Sequence, residues 1–293
     1  MQHFFIKQNQ MIDNKIKIIG KDVNHIKNVL RCKANEKIEV SVLETEEKYL
    51  VEILELSNEN IMCKIINKIN ENYESNVKIN IIQGLPKSDK MELIIQKCTE
   101  LGVKEITPLE LERCIVKLEG KDIDKKIDRW ESIAETAAKQ CGRNCVTKIN
   151  RLCNLKNIEE VLKSNDLVIV AYEGEKSVSL KNVLNELKFK NLQQELSIAA
   201  LNNFEKVNNN LDTSDSNFQE SDDFVSASLK REDEIKIAIV IGPEGGLEET
   251  EVEKLKVLGA KSISLGKRIL RTETVAIALS SVIMYELGDF GEI

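Results

Sequence analysis

Two short loops near the C-terminus combine glycines with charged side chains, the residue types that hold small charged molecules. The first is Gly242-Pro-Glu-Gly-Gly246, and the second runs from Lys267 to Arg271 after Gly266. Glycine adopts positive φ angles without strain and lets another molecule approach the backbone closely. One such loop alone is equally typical of a tight turn, but two in neighbouring segments favour a small-molecule site.

The first loop matches neither of the common nucleotide-binding motifs. Its glycines are not spaced as GxGxxG, and no Lys followed by Ser or Thr completes a phosphate-binding P-loop. A nucleotide-dependent enzyme that uses Gly242 to Gly246 as a phosphate cradle is therefore the weaker alternative.

An open α/β unit is predicted to position the two loops. Ile237 to Ile241 is a continuous apolar run, which is typical of a strand buried on both faces. Three glutamates fill the first turn of the next helix, where carboxylates suit the helix dipole, and Gly259 ends that helix. A second strand, Ser262 to Leu265, precedes the second loop, and Thr272 is predicted to cap the last helix. Sheets of this kind bind ligands at the carboxyl ends of their strands.

These two segments carry a resemblance to a known family. Ile241-Gly-Pro-Glu-Gly-Gly246 and Leu265-Gly-x-x-Ile-Leu-Arg-Thr-Glu-Thr-x-Ala276 resemble the paired cofactor motifs of SPOUT-class RNA methyltransferases. The sequence is most similar to the ribosomal RNA small subunit methyltransferase E family, which methylates ring nitrogen 3 of a uridine in 16S ribosomal RNA. The resemblance implies a parallel α/β domain with a C-terminal trefoil knot, a feature that is otherwise nearly absent from proteins.

The resemblance also implies S-adenosyl-L-methionine as the cofactor. The adenine is expected against the backbone of Leu265 to Leu270, and the carboxylates of Glu173, Glu244 and Glu273 could offset the positive sulfur. The expected cofactor-binding residues are Tyr172, Glu173, Ile241, Gly242, Gly245, Gly246, Leu265, Gly266, Ile269, Leu270, Thr274 and Ala276.

Methylation of a uridine ring nitrogen requires loss of its proton and stabilisation of charge on the ring carbonyls. The expected catalytic residues are Arg143 and Arg271, which would stabilise that charge, and Glu244, which would accept the proton or hold the cofactor. In the family, the Gly-Arg that matches Gly142-Arg143 belongs to the catalytic face. The alternative for Arg143 is a structural ion pair with a carboxylate. Val146-Thr147 replaces a proline that the family usually carries, which puts the shape of this loop in question.

The first 73 residues predict a small β domain. Alternating strands are expected at His3–Ile6, Lys15–Ile19, Ile38–Leu43, Tyr49–Leu54 and Ile61–Ile66. A helix capped by Asp22 is expected through Val23, Ile26, Val29 and Leu30, and it contains most of His25-Ile-x-x-Val-Leu-Arg31. The pattern is similar to the PUA-like RNA-binding domain of the family, which makes Arg31 an RNA-binding candidate. Without the resemblance, a solvated charge at a helix end is the favoured interpretation of Arg31.

A polar linker, Asn70 to Asn76, leads to a second domain expected over residues 77–290. Val77 to Ile82 predicts a buried strand, and Ser88 is expected to cap the following helix. Lys87 and Lys90 lie at the N-terminus of that helix, where positive charge opposes the dipole. They are predicted to face RNA phosphate, and the alternative is a pair of solvent-screened surface lysines.

Further buried elements are expected in this second domain. Trp130 to Gln140 predicts a helix, and Asp166 to Ala171 predicts a third strand. Cys141, Cys145 and Cys153 lack a zinc-ligand spacing and have no nearby histidine, so no metal site is expected and buried thiols are favoured.

The net charge of −7 is concentrated in one segment. Residues 191–234 hold ten acidic and three basic side chains, a net of −7, so the remainder of the 293-residue chain is neutral. This segment is rich in Asn, Ser and Asp, and it predicts a disordered acidic insertion. Bulk charge therefore neither supports nor excludes an RNA partner.

Other sequence features concern location and assembly. Seven cysteines without a signal peptide indicate a reducing, cytoplasmic setting, and no apolar run is long enough for a membrane span. The last helix, Thr274 to Leu287, is apolar nearly all round, which predicts burial and, by the resemblance, a homodimer interface. Small-subunit ribosomal RNA or the assembled subunit is the expected partner. A non-catalytic RNA-binding factor in ribosome assembly is the main alternative function.

Overall fold

The computed structural model describes residues 1–71, 74–190, 193 and 234–287. The acidic segment predicted to be an insertion lies almost wholly outside the described residues. The described chain forms two sheets, one mainly antiparallel in the N-terminal part and one parallel in the C-terminal part. The predicted mixed α/β class is confirmed.

The N-terminal sheet has six strands in the order β1-β4-β5-β6-β3-β2. The strands are β1 (His3–Ile6), β2 (Met11–Ile12), β3 (Lys15–Ile19), β4 (Lys37–Val42), β5 (Lys48–Leu56) and β6 (Asn60–Ile69). β1 pairs in parallel with β4, and the other neighbours are antiparallel. Side chains alternate along these strands, so one face buries Ile16, Ile18, Ile61 and Cys63 in a separate hydrophobic core.

A short helical segment closes the core of this sheet. α1 (Lys21–Asn24) continues into a π-type turn over His25–Val29, and Val23 and Ile26 are buried beneath it. Asp22 does not cap this helix, contrary to the sequence-based prediction. It lies in the first turn, and its carboxylate accepts a hydrogen bond from Lys139 at 2.8 Å, across the boundary with the C-terminal part.

The C-terminal sheet has seven strands, all paired in parallel. Six follow the order β10-β8-β7-β12-β11-β13, and β9 pairs with β8. The strands are β7 (Val77–Gly84), β8 (Glu105–Glu110), β9 (Lys148–Ile149), β10 (Cys153–Asn154), β11 (Leu167–Ala171), β12 (Ile235–Ile241) and β13 (Lys261–Ile263). Central strand β12 is buried along its whole length except at Lys236, as its apolar run predicts.

Helices cover both faces of this sheet. They are α2 (Lys90–Glu100), α3 (Lys121–Cys141), α4 (Ile158–Leu162), α5 (described over residues 180–190), α6 (Glu249–Val257) and α7 (Thr272–Glu286). α3 begins nine residues before the predicted start at Trp130. The prediction missed this first part because Ile123 and Ile127 are its only apolar residues. No helix among the described residues is long and apolar enough to cross a membrane.

Two predicted helix caps in the C-terminal part are also wrong. Ser88 has a φ of 54° and lies before Asp89, which occupies the N-cap of α2 without a side-chain cap. Thr272 is the first residue of α7 rather than its cap, and its hydroxyl donates to the Gly242 carbonyl instead. In contrast, α6 starts with a reciprocal capping box between Glu248 and Glu251.

The path of the chain after β12 determines where the functional loops lie. β13 pairs with β11 at one edge of the sheet, whereas α7 contacts α2 and β7 on the other side of β12. The segment between β13 and α7, residues 264–271, therefore crosses the carboxyl ends of β11 and β12. This crossing brings it beside the glycine-rich loop that follows β12.

Candidate functional site

A cavity of about 430 Å³ lies at the carboxyl edge of the parallel sheet. The loops that follow β11, β12 and β13 all contribute to it. It is lined by Lys90, Ala171, Tyr172, Glu173, Ile241, Gly242, Pro243, Glu244, Gly246, Leu247, Ser264, Leu265, Gly266, Lys267, Arg268, Ile269, Leu270, Arg271, Thr272 and Val275. The two glycine-containing loops of the sequence thus share one site, as predicted for a small-molecule ligand.

The loop after β12 is a tight backbone cradle. The Gly246 amide donates to the Pro243 carbonyl at 2.9 Å, and Gly246 has a φ of 71°. A Cβ at Gly242 would lie 2.9 Å from the carbonyl carbon of Gly246, so no side chain fits there. The two glycines therefore serve different needs, since Gly242 permits close backbone approach and Gly246 permits the turn.

A buried hydrogen-bond relay, not predicted from the sequence, holds this cradle against α7. The Gln83 Nε2 donates to the Thr272 Oγ1 at 2.8 Å, and the Thr272 hydroxyl donates to the Gly242 carbonyl at 2.7 Å. Gln83 is fully buried at the end of β7. The sequence signal that could have revealed this relay is a polar residue, Gln83, at the end of an apolar strand, because a polar group buried there needs a hydrogen-bond partner.

One lysine joins two carboxylates at the cavity wall. The Lys90 Nζ lies 2.9 Å from the Glu244 Oε1 and 3.5 Å from the Glu273 Oε2. The Glu244 carboxylate also accepts a hydrogen bond from the Lys87 backbone amide at 3.1 Å. Partial burial raises the pKa of Glu244, but the hydrogen bonds and positive charge of Lys90 outweigh it and hold that pKa below its ordinary value. Glu244 is therefore ionised at neutral pH.

The loop after β11 is fixed to β13 by another carboxylate. One oxygen of Glu175 accepts hydrogen bonds from the backbone amide and hydroxyl of Ser177, and the other accepts from the Ser262 hydroxyl at 2.6 Å. These bonds, with that from Ser177 the largest cause, lower the pKa of Glu175 well below its ordinary value. The Ser264 amide also donates to the Val178 carbonyl at 2.8 Å. This wall of the cavity is thus held in one conformation.

Most predicted cofactor residues lie in this cavity, and three do not. Gly245 is turned away, and its carbonyl accepts from the Arg113 Nη1 at 2.9 Å. Thr274 is exposed, and Ala276 is fully buried in the core, because α7 presents Thr272 and Val275 to the cavity instead. The rotation of α7 thus places Thr274 and Ala276 outside the cavity, and the turn of the loop after β12 does the same for Gly245.

The structure places Arg143, a predicted catalytic residue, outside the cavity. It does not line the cavity, and the whole residue is 3% exposed. It binds the Glu74 carboxylate at 2.6 Å and donates to the carbonyls of Thr99 and Val103 and to the Thr147 hydroxyl. Its Nε, Nη1 and Nη2 all donate to groups of the same chain. Within one chain, Arg143 therefore forms the structural ion pair that was the alternative to a catalytic role.

Some of the remaining predicted catalytic and RNA-binding residues line the cavity, and others lie outside it. Glu244 and Arg271 both line the cavity, and Lys90 lines it while paired to carboxylates rather than facing solvent. Lys87 and Arg31 are exposed outside it.

Of the three cysteines considered for a metal site, Cys145 and Cys153 are buried, whereas Cys141 is exposed. Burial raises the pKa of Cys153 to about 12.

Comparison with known proteins agrees with this architecture. A family model described as an RNA methyltransferase domain matches residues 73–201 and 190–284, and one described as an RNA methyltransferase PUA domain matches residues 18–66. Ribosomal RNA small subunit methyltransferase E of Bacillus subtilis (strain 168) is 32% identical over 289 residues, which cover 98% of this chain and 97% of the relative. The chain belongs to the ribosomal RNA small subunit methyltransferase E family. The member of this family from Mesomycoplasma hyopneumoniae (strain 232) is 33% identical, with 95% and 97% coverage.

Solved structures share the fold of this family member. A crystal structure of a hypothetical protein superposes with a TM-score of 0.75 at 30% identity, covering 98% of this chain and 99% of that one. The Neisseria gonorrhoeae ribosomal RNA small subunit methyltransferase E bound to S-adenosyl methionine gives 0.73 at 24% identity, covering 99% and 100%. The predicted SPOUT architecture with a PUA-like N-terminal domain is confirmed.

Proposed function

We propose that this protein transfers a methyl group from S-adenosylmethionine to ring nitrogen 3 of a uridine in small-subunit ribosomal RNA. The observation that carries the proposal is the single cavity that both glycine-containing loops share at the carboxyl edge of the sheet. Family membership and the methyltransferase names of its relatives support the reaction class. We further propose that residues 1–73 bind RNA and residues 77–290 form the catalytic domain.

The size of the cavity and the backbone groups in its lining support S-adenosylmethionine as the ligand. About 430 Å³ is within the range of small-molecule pockets. Gly242 and Gly246 line the cavity with backbone alone, and the Leu265–Leu270 backbone offers hydrogen-bonding groups to an adenine. Glu173 and Glu244 line the cavity, and Glu273 lies beside it, where its buried Oε2 is 3.5 Å from the Lys90 Nζ. Four basic residues, Lys90, Lys267, Arg268 and Arg271, line the same cavity, so these carboxylates can offset the positive sulfur only where they lie next to it.

S-adenosylmethionine supplies an electrophilic methyl group when it is bound. The side chains of the protein provide positioning and proton transfer. Glu244 is ionised and can accept the proton of the uridine ring nitrogen. Arg271 lines the same cavity and makes no ion pair with any described residue, so it is available to stabilise charge on a ring carbonyl.

The RNA substrate must present the target base unpaired. The ring nitrogen that would be methylated is used in Watson–Crick pairing, so the uridine has to be single-stranded or splayed out of a helix. Arg31 and Lys87, both exposed, are proposed to hold the surrounding phosphates. Free ribosomal RNA and the assembled small subunit are both candidate substrates.

Two features of the assembly belong to the same proposal. The crossing of residues 264–271 over the carboxyl ends of β11 and β12 supports a trefoil knot. α7 buries Leu279 and Ile283 in the core but leaves Val282 44% and Tyr285 68% exposed, which supports a homodimer that covers this side of the helix.

The proposal is tested by ligand binding and by transfer. Isothermal titration calorimetry should detect S-adenosylmethionine binding to the wild-type protein and to Glu253→Gln, an exposed control on α6. Gly242→Val should abolish binding, because its side chain would collide with Gly246. Tritiated methyl transfer to small-subunit ribosomal RNA, followed by mapping of the modified base, identifies the position. Binding of RNA without any binding of S-adenosylmethionine would favour the non-catalytic assembly factor.

A further inference from the structure

The N-terminal sheet presents closely spaced lysines to solvent. β3 and β6 are antiparallel neighbours, and their register places Lys15 directly opposite Lys64. Lys17 is two residues further along β3, about 6.6 Å from Lys15 at the usual rise, and so lies on the same side of the sheet. We call Lys15, Lys17 and Lys64 the lysine face. All three are exposed, while the residues that alternate with them, such as Ile16 and Cys63, form the buried core.

The positive charges of the lysine face are not neutralised within the described chain. None of the three amines has a described carboxylate within ion-pair distance, although other lysines of the same sheet do. Lys48 lies 2.9 Å from Glu39, and Lys68 lies 2.5 Å from Glu47. Glu52, which pairs with Lys64 in register on β5, is the one acidic residue in this row and forms no ion pair with it. Like charges placed directly opposite one another destabilise a strand pair, so this arrangement carries a cost in the isolated protein.

Protection of a sheet edge does not explain all three lysines. Lysines on edge strands commonly prevent edge-to-edge aggregation. However, β6 lies inside the sheet between β5 and β3, and β2 covers β3 at Lys15 and Ile16. Lys64 in particular has paired strands on both sides, so its charge has no edge to protect.

Exposed aliphatic side chains surround these amines. Ile12 pairs with Lys15 in register and is 50% exposed, Ile19 follows Lys17 by two residues and is 50% exposed, and Ile66 follows Lys64 by two residues and is 41% exposed. Ammonium groups beside solvent-exposed hydrocarbon match the two parts of an RNA strand, its phosphates and its sugars or splayed bases.

We propose that the lysine face contacts the phosphate backbone of the ribosomal RNA substrate and positions it for the distant cavity. This proposal rests on the proposed function for the nature of the RNA. Contacts of this type fix register and orientation without reading sequence, so the lysine face would contribute affinity and not choice of base. The chain as a whole has a net charge of −7, so a local positive surface is needed for any such contact.

The test is the salt dependence of RNA binding by the full-length protein. The triple variant Lys15→Gln, Lys17→Gln, Lys64→Gln is compared with Lys121→Gln, Lys125→Gln, Lys126→Gln, which removes the same charge from exposed positions of α3. A radiolabelled small-subunit ribosomal RNA transcript is the probe, and filter binding is measured between about 50 and 200 mM KCl. Thermal melting of each variant checks that it is folded.

The expected result is a loss of affinity together with a shallower salt dependence. Three lost phosphate contacts should weaken binding about 10- to 100-fold at low salt and reduce the slope of log K against log salt by about 2. Arginine at the same three positions should restore both values. Equal affinity and slope in the lysine-face variant and the α3 control would overturn the proposal and leave a merely solvated surface. Failure of S-adenosylmethionine binding in the wild-type protein would instead overturn the proposed function, since the salt slope does not depend on methyl transfer.

Discussion

The ion pair between Arg143 and Glu74 gives a sharp prediction, because the sequence leaves Arg143 a catalytic or a structural role and the buried pair favours the structural one. Both side chains are 4% exposed, and the Glu74 carboxylate also accepts from the backbone amides of Asn144 and Cys145 at 2.8 and 3.1 Å. Arg143→Met leaves this carboxylate buried without a counter-charge. Loss of one partner of such a pair costs about 3–5 kcal/mol of unfolding free energy.

The assay is urea unfolding followed by far-ultraviolet circular dichroism. The matched control is Arg129→Met, which removes an arginine that is 61% exposed and lies 2.7 Å from Glu92. A surface pair of this kind contributes about 1 kcal/mol or less. If Arg143→Met is too unstable to fold, the double variant with Glu74→Gln should recover part of the stability, because the buried charge has been removed.

The pH dependence provides a second signature of the same pair. Burial raises the pKa of Glu74, but Arg143 outweighs it and holds that pKa below its ordinary value. The ionised pair therefore stabilises the wild-type protein above about pH 4.5, and this contribution is lost as pH falls further. In Arg143→Met, burial acts without the counter-charge, so the variant should be less destabilised at about pH 5 than at about pH 8. A variant that unfolds within about 1 kcal/mol of the wild type but no longer transfers methyl groups would refute this reasoning and restore the catalytic prediction.

Three further outcomes follow from the site and the last helix. Lys90→Ala removes the main group that lowers the pKa of Glu244, so the acidic limb of the pH profile of methyl transfer should move to higher pH, and Lys90→Arg should return it. Glu175→Gln weakens the bonds that join the loop after β11 to β13, so hydrogen exchange of the Ser177 amide should accelerate, as it should in the wild type once acid protonates Glu175. Val282→Glu with Tyr285→Glu should convert a dimer into a monomer in size-exclusion chromatography with light scattering.

Each of these outcomes has a control. Lys87→Ala removes an exposed amine whose contact with Glu244 is made through the backbone, so the pH profile should stay where it is. Glu253→Gln should leave exchange of the Ser177 amide unchanged. Val257→Glu, at a position on α6 that is 87% exposed, should not alter the oligomeric state. A wild-type protein that is monomeric at micromolar concentration would contradict the dimer.

The strands of both sheets were largely predictable because burial leaves a direct pattern in the sequence. Ile237 to Ile241 had to lie inside a parallel sheet, and the alternation in β3 and β6 had to face one side to a core. The glycine spacing likewise indicated that the loop after β12 approaches a ligand. These features depend on local composition, which can be read directly from the sequence.

The side-chain pairings were not predictable because the partners are far apart in the sequence. Gln83 and Thr272 are 189 residues apart, and Arg143 and Glu74 are 69 residues apart, so no local pattern connects them. The failed caps at Ser88 and Thr272 have the same origin, since Thr272 satisfies a carbonyl of a distant loop in place of its own helix. Which residues of α7 face the cavity depends on the rotation of the helix within its packing, and a motif match does not give that angle.

The order in which the chain leaves the ribosome has a consequence for this site. The floor at Gln83 is made 159 residues before the cradle at Gly242, and the wall from residue 264 onward and the Thr272 hydroxyl follow the cradle. A nascent chain that still lacks α7 can fold its N-terminal sheet yet has no enclosed pocket. A truncation that removes α7 should therefore remove ligand binding while leaving the N-terminal sheet intact.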